Sequence, residues 1–362
     1  MNKTLLATFL ISFATFSAWQ SGGQEASMPL QLQSPQRPSP DRYGASFRMG
    51  FNITANFKTG FGSSNPGPAT GGGQDRTYDD GYNKVDSSGN AFGYTRYWGY
   101  DHDGNQPGFA SQYDPNNGTI TMNSASGSVS STGRDGDPQP GFELTYNREL
   151  GRNKNCRWGF EAAFNYMNVG IHDAQSLTAN GTLISDTFQL PPLEGGGFVA
   201  PPPAPYSHGP DLSPSGNPVL GDLPSRNTSA LAASITGFRD FDANVFAWRL
   251  GPYAEIPLGS KASLFLSGGL ALGAVASEFN FNELILTGTG TVPATGSSSH
   301  ADFLVGGYIG GALDVALSKK CSVFGGVQFQ SAGSYTHREG NSQARLNLSE
   351  SLFVTLGLGF SF

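Results

Sequence analysis

Three histidines of this chain stand beside carboxylates: His172 next to Asp173, His300 two residues before Asp302, and His337 two residues before Glu339. A histidine oriented by a carboxylate is a common general base for activating a hydroxyl, provided the groups come within hydrogen-bond reach. No motif of fixed spacing links any of the three to a nucleophile, and exposed loops carry such residues in any case. No catalytic residue is assigned, and the chain is expected not to be an enzyme. Asp101-His102-Asp103-Gly104-Asn105 and Asp135-Gly136-Asp137 look like pieces of calcium loops. Neither has the complete ligand spacing or the closing Glu, and Asp-Gly is ordinary turn chemistry. Gly288-Thr289-Gly290 lacks the strand–helix context that would cradle a phosphate. Neither metal nor cofactor is therefore expected.

A second set of charges sits inside alternating segments. Phe47, Met49, Phe51, Ile53, Ala55 and Phe57 occupy odd positions, with Arg48, Gly50, Asn52, Thr54 and Asn56 between them. Period-2 alternation sustained over about 11 residues is the length that crosses a bilayer as a tilted strand. It is about twice the usual strand of a soluble sheet. Phe142, Leu144 and Tyr146 alternate with Glu143, Thr145 and Asn147; Trp158, Phe160, Ala162, Phe164 and Tyr166 alternate with Glu161, Ala163 and Asn165. Phe246, Trp248, Leu250, Ala254 and Ile256 alternate with Arg249, Gly251, Tyr253 and Glu255. Eight strands are expected, near 44–58, 139–150, 156–170, 241–258, 261–278, 302–317, 320–335 and 346–362. Parity then places Arg48, Glu143, Glu161, Arg249, Glu255 and Asp314 on the face away from the large apolar residues.

The connections alternate in length. Gly151 to Asn155, Leu258 to Lys261 and Ser318 to Lys320 are tight and polar; 59–138, 171–240 and 279–301 are long, and a shorter one lies near 336–345. Tight turns on one side and long loops on the other are the asymmetry of outer-membrane barrels, and an even strand number puts both termini on the tight-turn side. The aromatic run Tyr94 to Tyr100 forms either a hairpin above the membrane or an extra strand pair that raises the count to ten. Proline cannot donate to a ladder, so the stretch containing Pro201-Pro202-Pro203 is expected to be extended and exposed.

Composition agrees with this class. Gly supplies 50 of 362 residues, and charged residues make up 14% against the usual ~25%. So few charges suggest a membrane protein, yet the mean hydropathy of −0.28 excludes a bundle of apolar helices. A net charge of −7 gives a nucleic-acid partner no electrostatic support. Residues 1–18 read as a secretory signal, with Lys3 ahead of an apolar run from Leu5 to Phe16 and more than one acceptable cleavage position. Residues 19–42 read as a periplasmic tail, and 43–362 as the barrel with its loops.

The C-terminus is the most specific feature. Val354, Leu356, Leu358, Phe360 and Phe362 face one way, and Thr355, Gly357, Gly359 and Ser361 the other. The run Thr355 to Phe362 resembles the assembly signal of Gram-negative outer-membrane barrels, with Thr355, Gly357, Phe360 and Phe362 at its defining positions. Residues 43–362 resemble the small OmpA/OmpX-like barrel class with enlarged loops. That resemblance implies an all-β, antiparallel, up-and-down transmembrane barrel of eight strands in the bacterial outer membrane. It also implies contact with the lipid bilayer and lipopolysaccharide, insertion by the barrel-assembly machinery, and a monomeric state. The role expected is structural or a surface interaction with an extracellular ligand whose identity the sequence does not reveal. The alternatives are a narrow channel of ten to twelve strands and a rim enzyme acting on lipid or peptide.

At eight strands the lumen is just wide enough for side chains to fill. The six inward charges are then expected to pair, because an isolated buried charge is costly. Tyr43, Trp158 and Phe362 are expected at the periplasmic interface, and Tyr166, Phe246 and Tyr335 at the extracellular one. Cys156 and Cys321 would begin the third and seventh strands, on opposite walls. If Phe362 completes an assembly signal, deleting it should slow or abolish membrane insertion. Unboiled wild-type protein should migrate as a compact gel band that the deletion loses; an undiminished compact band in the deletion would overturn that role.

Overall fold

The computed structural model describes residues 39–362 apart from 63, 103, 105–109, 132–133, 136–137, 214–215, 217 and 288–289. The expected signal (1–18) and residues 19–38 of the expected tail lie outside the described residues. So do Asp103, Asn105, Gly136 and Asp137 of the aspartate-rich segments, and Gly288 and Thr289. Among the described residues the only helical element is the 3-10 turn Ala91–Gly93, and no helix is long and apolar enough to cross a membrane.

Thirteen strands carry the architecture. They are β1 (Asp41–Phe51), β2 (Thr54–Phe61), β3 (Thr119–Ser130), β4 (Gln139–Arg152), β5 (Arg157–Asp173), β6 (Leu177–Gln189), β7 (Ser225–Pro257), β8 (Ala262–Thr287), β9 (Gly290–Ala316), β10 (Cys321–Ser331), β11 (Ser334–Glu339), β12 (Ser342–Asn347) and β13 (Ser351–Phe360). Antiparallel pairing runs β1–β4–β5–β7–β8–β9–β10–β13 and returns from β13 to β1. This ring passes through the eight segments in which strands were expected. Its inner face is crowded: a Cβ at Gly359 would lie 2.7 Å from the Arg42 guanidinium.

Outside the ring lies an apolar belt. Phe47, Leu144, Trp158, Phe160, Trp248, Leu250, Leu270, Leu272, Ile309, Leu313, Val327, Val354, Leu356 and Leu358 are all exposed. An exposed apolar surface this extensive is not tolerated in water. The belt stops at a level line. Along β7 the outward residues are Ile256, Ala254, Leu250, Trp248 and Phe246, then Asn244, Asp242 and Asp240. On β5 the change comes at Asn168, directly opposite Asn244, and just below it the Tyr166 hydroxyl donates to Asn244 Oδ1 at 2.7 Å.

Above that line the ring changes partners. The upper part of β7 pairs with β6, β6 with β3, β3 with β2, β2 with β12 and β12 with β11. Several expectations fail here. The segments 59–138, 171–240 and 279–301, read as loops, contain β3, β6, the upper half of β7 and the upper hairpin of β8 and β9. The strand expected near 44–58 is two strands. Asn52 takes a left-handed conformation (φ 60°) and donates from Nδ2 to the Glu350 carbonyl at 2.8 Å. That residue reverses the parity, so Phe47 faces outward while Ile53, Ala55 and Phe57 are buried. The strands expected near 320–335 and 346–362 also break, at Ala332-Gly333 and at Leu348 to Glu350. Tyr335 consequently points inward, 1% exposed, and is not an interfacial girdle residue.

Tyr94 to Tyr100 adds nothing to the ring. Tyr94–Thr95 pairs with Leu220–Gly221, and Trp98–Tyr100 joins a small sheet with Gly81–Asn83, Arg76–Tyr78 and Tyr206–Ser207. Trp98, Tyr100, Tyr78, Ile120, Met122, Phe188, Leu190 and Leu220 are buried together, giving the two long insertions a shared core. Pro201-Pro202-Pro203 carries no strand.

Cys156 and Cys321 are free thiols. One immediately precedes β5 and the other begins β10, and four strand-to-strand steps separate β5 from β10 in either direction around the ring. A disulfide needs Cα atoms within about 7 Å. Alkylation of native protein without reductant, read by mass spectrometry, should modify both cysteines. An intramolecular disulfide would contradict this strand order.

Candidate functional site: a filled lumen and the seam above it

The inward side of the lower ring is polar because each strand alternates, and the residues it collects must satisfy one another. All six charges expected to face inward are buried there: Arg48, Glu143, Glu161, Arg249, Glu255 and Asp314. Four form one cluster. Arg48 is ion-paired with Glu143 and donates from Nη2 to Gln330 Oε1 at 3.1 Å. Arg249 reaches Glu143 Oε1 at 2.7 Å and Glu161 Oε1 at 3.1 Å. Two cations thus face two anions. Aromatic rings cover the remaining guanidinium faces, with Phe353 3.6 Å from Arg48 Cζ and Tyr308 4.6 Å from Arg249 Cζ.

Asp314 and Glu255 lie apart from that cluster. Asp314 pairs with Arg42 and accepts from the Ser322 hydroxyl at 3.0 Å. Glu255 accepts from the Ser263 hydroxyl at 2.7 Å and stands in register opposite Arg157. Arg42 and Arg157 are buried, and sequence reading missed both. The signal was available: Arg42 shares the parity of Arg48, and Arg157 that of Glu161. Arg42 was assigned to the tail because β1 was started too late, and its first residue is Asp41. Among these groups remains a cavity of about 60 Å³, which holds only a few waters.

The lumen continues upward as layers. Ile53, Phe57, Val169, Phe241, Val275, Phe279, Tyr335, Leu346 and Phe353 belong to one apolar core above the charges. Next comes a second ionic layer, in which Arg239 pairs with Glu283 and with Asp173 at 3.3 Å, and the Thr59 hydroxyl donates to Glu283 Oε1 at 2.9 Å. Above it Phe61, Ala179, Leu231, Ala233, Ile235 and Ile285 form another apolar core. Sequence reading missed Arg239 although it lies ten residues before Arg249, on the same strand face. The expected strand began at 241.

The histidines separate. His172 pairs with Asp240 on the outside of the wall, while the neighbouring Asp173 faces inward to Arg239. His300 and His337 come together, ring centroids 5.9 Å apart. His337 Nδ1 is 2.8 Å from the Ser277 hydroxyl and its Nε2 is 2.9 Å from the Ser298 hydroxyl; Ser277 is also 2.7 Å from the Tyr335 hydroxyl. Burial and the nearby His300 hold the His337 imidazole below the usual histidine range. The link runs from β11 across to β8 and β9, and among the described residues β11 has a ladder with β12 alone. Above Gly307, β9 has among them a ladder with β8 alone. This boundary is a seam joined by side chains. Among the described residues no group of three or more His, Cys, Asp or Glu is placed to hold a metal ion.

No family model matches the chain, and neither does any curated protein. Solved structures similar to it include Ail, the attachment invasion locus protein of Yersinia pestis, at 9% identity and TM-score 0.25 over 88% of this chain and 99% of that one. The outer membrane protease OmpT of Escherichia coli aligns at 9% identity and TM-score 0.29 over 89% and 97%. The translocator domain of the autotransporter NalP of Neisseria meningitidis aligns at 10% identity and TM-score 0.20 over 90% of each.

Arg249 is the member of the lower cluster that touches both glutamates. Arg249→Ala would leave the buried Glu161 with the Tyr308 hydroxyl at 3.2 Å but no cation, and Glu143 with Arg48 alone. Removing one partner of a buried ion pair typically costs ~3–5 kcal/mol. The compact form should melt clearly lower in a heated-gel assay. An unchanged melting temperature would mean that solvent, not Arg249, satisfies these carboxylates.

Proposed function

We propose that the chain is an integral barrel of the bacterial outer membrane that acts through its extracellular structure and does not conduct. The observation that carries this reading is the filled interior: two paired ionic layers alternating with two apolar cores leave no broad aqueous path. The location is supported by the apolar belt on the ring's outer face. In hydrocarbon every backbone amide must be bonded within the protein, which a ring of antiparallel strands achieves and an open sheet does not. The eight-stranded, OmpA/OmpX-like assignment fits the ring of pairings. The assembly role of Thr355, Gly357, Phe360 and Phe362 fits a last strand whose Val354, Leu356, Leu358 and Phe360 face outward beside β1. The bilayer with its lipopolysaccharide and the barrel-assembly machinery are the partners this assignment requires, with a single chain as the working unit.

A surface-interaction role is supported by the extracellular elaboration. Strands continue well beyond the belt, and the cap built from both long insertions has its own aromatic core. Its 3-10 turn presents Phe92 fully exposed in a left-handed conformation (φ 60°). A fully exposed apolar side chain on strained backbone is a reasonable contact point for an extracellular ligand. The direct test is planar-bilayer recording of purified protein. No large, steady single-channel conductance is expected; stable ohmic channels of porin size would replace this reading with a transport one.

A further inference from the structure

We propose that Ser298 and His337 form a nucleophile–base pair, positioned by Ser277, that hydrolyses carboxylic esters carrying an apolar acyl group. The claim is independent of whether the lumen conducts. It starts from a geometry that neither the lumen network nor the cap uses. His337 bridges two hydroxyls, one on each ring nitrogen, at 2.8 and 2.9 Å. With the proton on Nδ1 donated to Ser277, the Nε2 lone pair points at the Ser298 hydroxyl. Ser277 is itself fixed by the Tyr335 hydroxyl at 2.7 Å. This is the nucleophile, base and orienting group of hydroxyl catalysis, with a serine in the third place.

Access and environment favour the same assignment. His337 is buried at 1% exposure, whereas Ser298 is only half-buried and its neighbours Ser299 and His300 are exposed. The groups facing His337 are His300 and Ser298 from β9, Ser277 and Phe279 from β8, and Tyr335 and Glu339 from its own strand. Burial and His300 favour the neutral imidazole, the form a base requires. Further along β9 and β11 on the extracellular side, starting three residues from Ser298 at Thr295 and two from His337 at Glu339, lies a cavity of about 240 Å³. It has an apolar side of Phe61, Phe281, Ile285, Val292, Pro293 and Ala294 and a polar side of Thr295, Glu339, Asn341 and Ser342. Its apolar side suits an acyl chain. The edge of β9 along the seam lacks a ladder partner among the described residues, so its backbone N–H groups can serve a developing oxyanion.

The step balances within the chain. Ser298 Oγ bonds to the ester carbonyl carbon as its proton passes to His337 Nε2 and the carbonyl electron pair moves to oxygen. Collapse re-forms the carbonyl and breaks the bond to the alcohol, which leaves with the Nε2 proton. Water then repeats the sequence on the acyl-serine, yielding the carboxylic acid and free Ser298.

The test uses the full-length protein in detergent. A fluorophosphonate probe should label it once, at Ser298 by peptide mapping, and p-nitrophenyl butyrate should be cleaved faster than the acetate. Ser298→Ala should abolish labelling and lower turnover by at least ~100-fold. His337→Gln, which can bond both serines but cannot take up the proton, should do the same while the compact gel band persists. Ser277→Ala should lower kcat with KM little changed and should move the acid limb of the pH profile. That limb should lie below the ordinary histidine range of ~6.5 in the wild type. Ser299→Ala should behave as wild type. Intact protein that is unlabelled, is labelled at another residue, or keeps its turnover in Ser298→Ala would overturn the proposal.

Discussion

A strand residue faces one side of the sheet or the other, and in this protein the solvent on each side changes part-way along the strand. That single constraint organises the molecule. Below the line marked by Asn168 and Asn244 the outside is apolar and the inside carries paired charge. Above it the outside carries Asp240, Asp242 and Glu278 with only scattered apolar residues such as Phe238 and Leu284, and the inside is built mainly from Phe, Ile, Val and Leu. The preferred face for a large apolar side chain therefore inverts at the membrane surface. A strand that crosses this level must either change its sequence pattern or turn over.

Both solutions occur, and they determine how much the sequence discloses. β5, β7 and β8 run straight through and change pattern. On β7 the apolar residues shift from even positions (Phe246 to Ile256) to odd ones (Val245, Ala243, Phe241), leaving an adjacent apolar pair at Val245-Phe246. Alternation lapses there, so the lower pattern does not extend upward and the strand reads as starting near 241 when it starts at Ser225. At β1/β2, β10/β11 and β12/β13 the chain turns over instead. Asn52, Ala332-Gly333 and Leu348 to Glu350 reverse the parity just where the environment reverses, so the two changes cancel and the written alternation continues unbroken. Phe47 to Phe57 looks like one strand for this reason. The lower ring was legible because lipid enforces a strict pattern, and the upper structure was hidden because the same level erased the signal of its boundary.

Legibility of the candidate sites follows the same division. The charges below the line could be assigned inward from parity alone, since nothing but a filled lumen lay on that side. Their pairing also follows, because two arginines and two glutamates enclosed at that level have little else to bond. Arg239, Glu283 and Asp173 obey the same parity but belong to strand lengths that alternation did not reveal. The meeting of Ser277, Ser298 and His337 was beyond sequence reading. It depends on β11 sitting beside β8 and β9, a placement that the break at Ala332-Gly333 sets and no local pattern records.

That break also explains why the seam lies where it does. Below it β10 is bonded to both β9 and β13, so neither of its edges is unpaired there. Above it, among the described residues, β11 pairs with β12 and β9 climbs on with β8 alone. An unpaired edge is forbidden in hydrocarbon and tolerable in water, so such a gap can open only above the Asn168–Asn244 level. Once open, it must be held by side chains, and those able to span it are polar and hydrogen-bonding. A wall that closes by backbone pairing has no need of His337. A wall that ends in water can carry a buried imidazole between two hydroxyls, with one of those hydroxyls only half-buried.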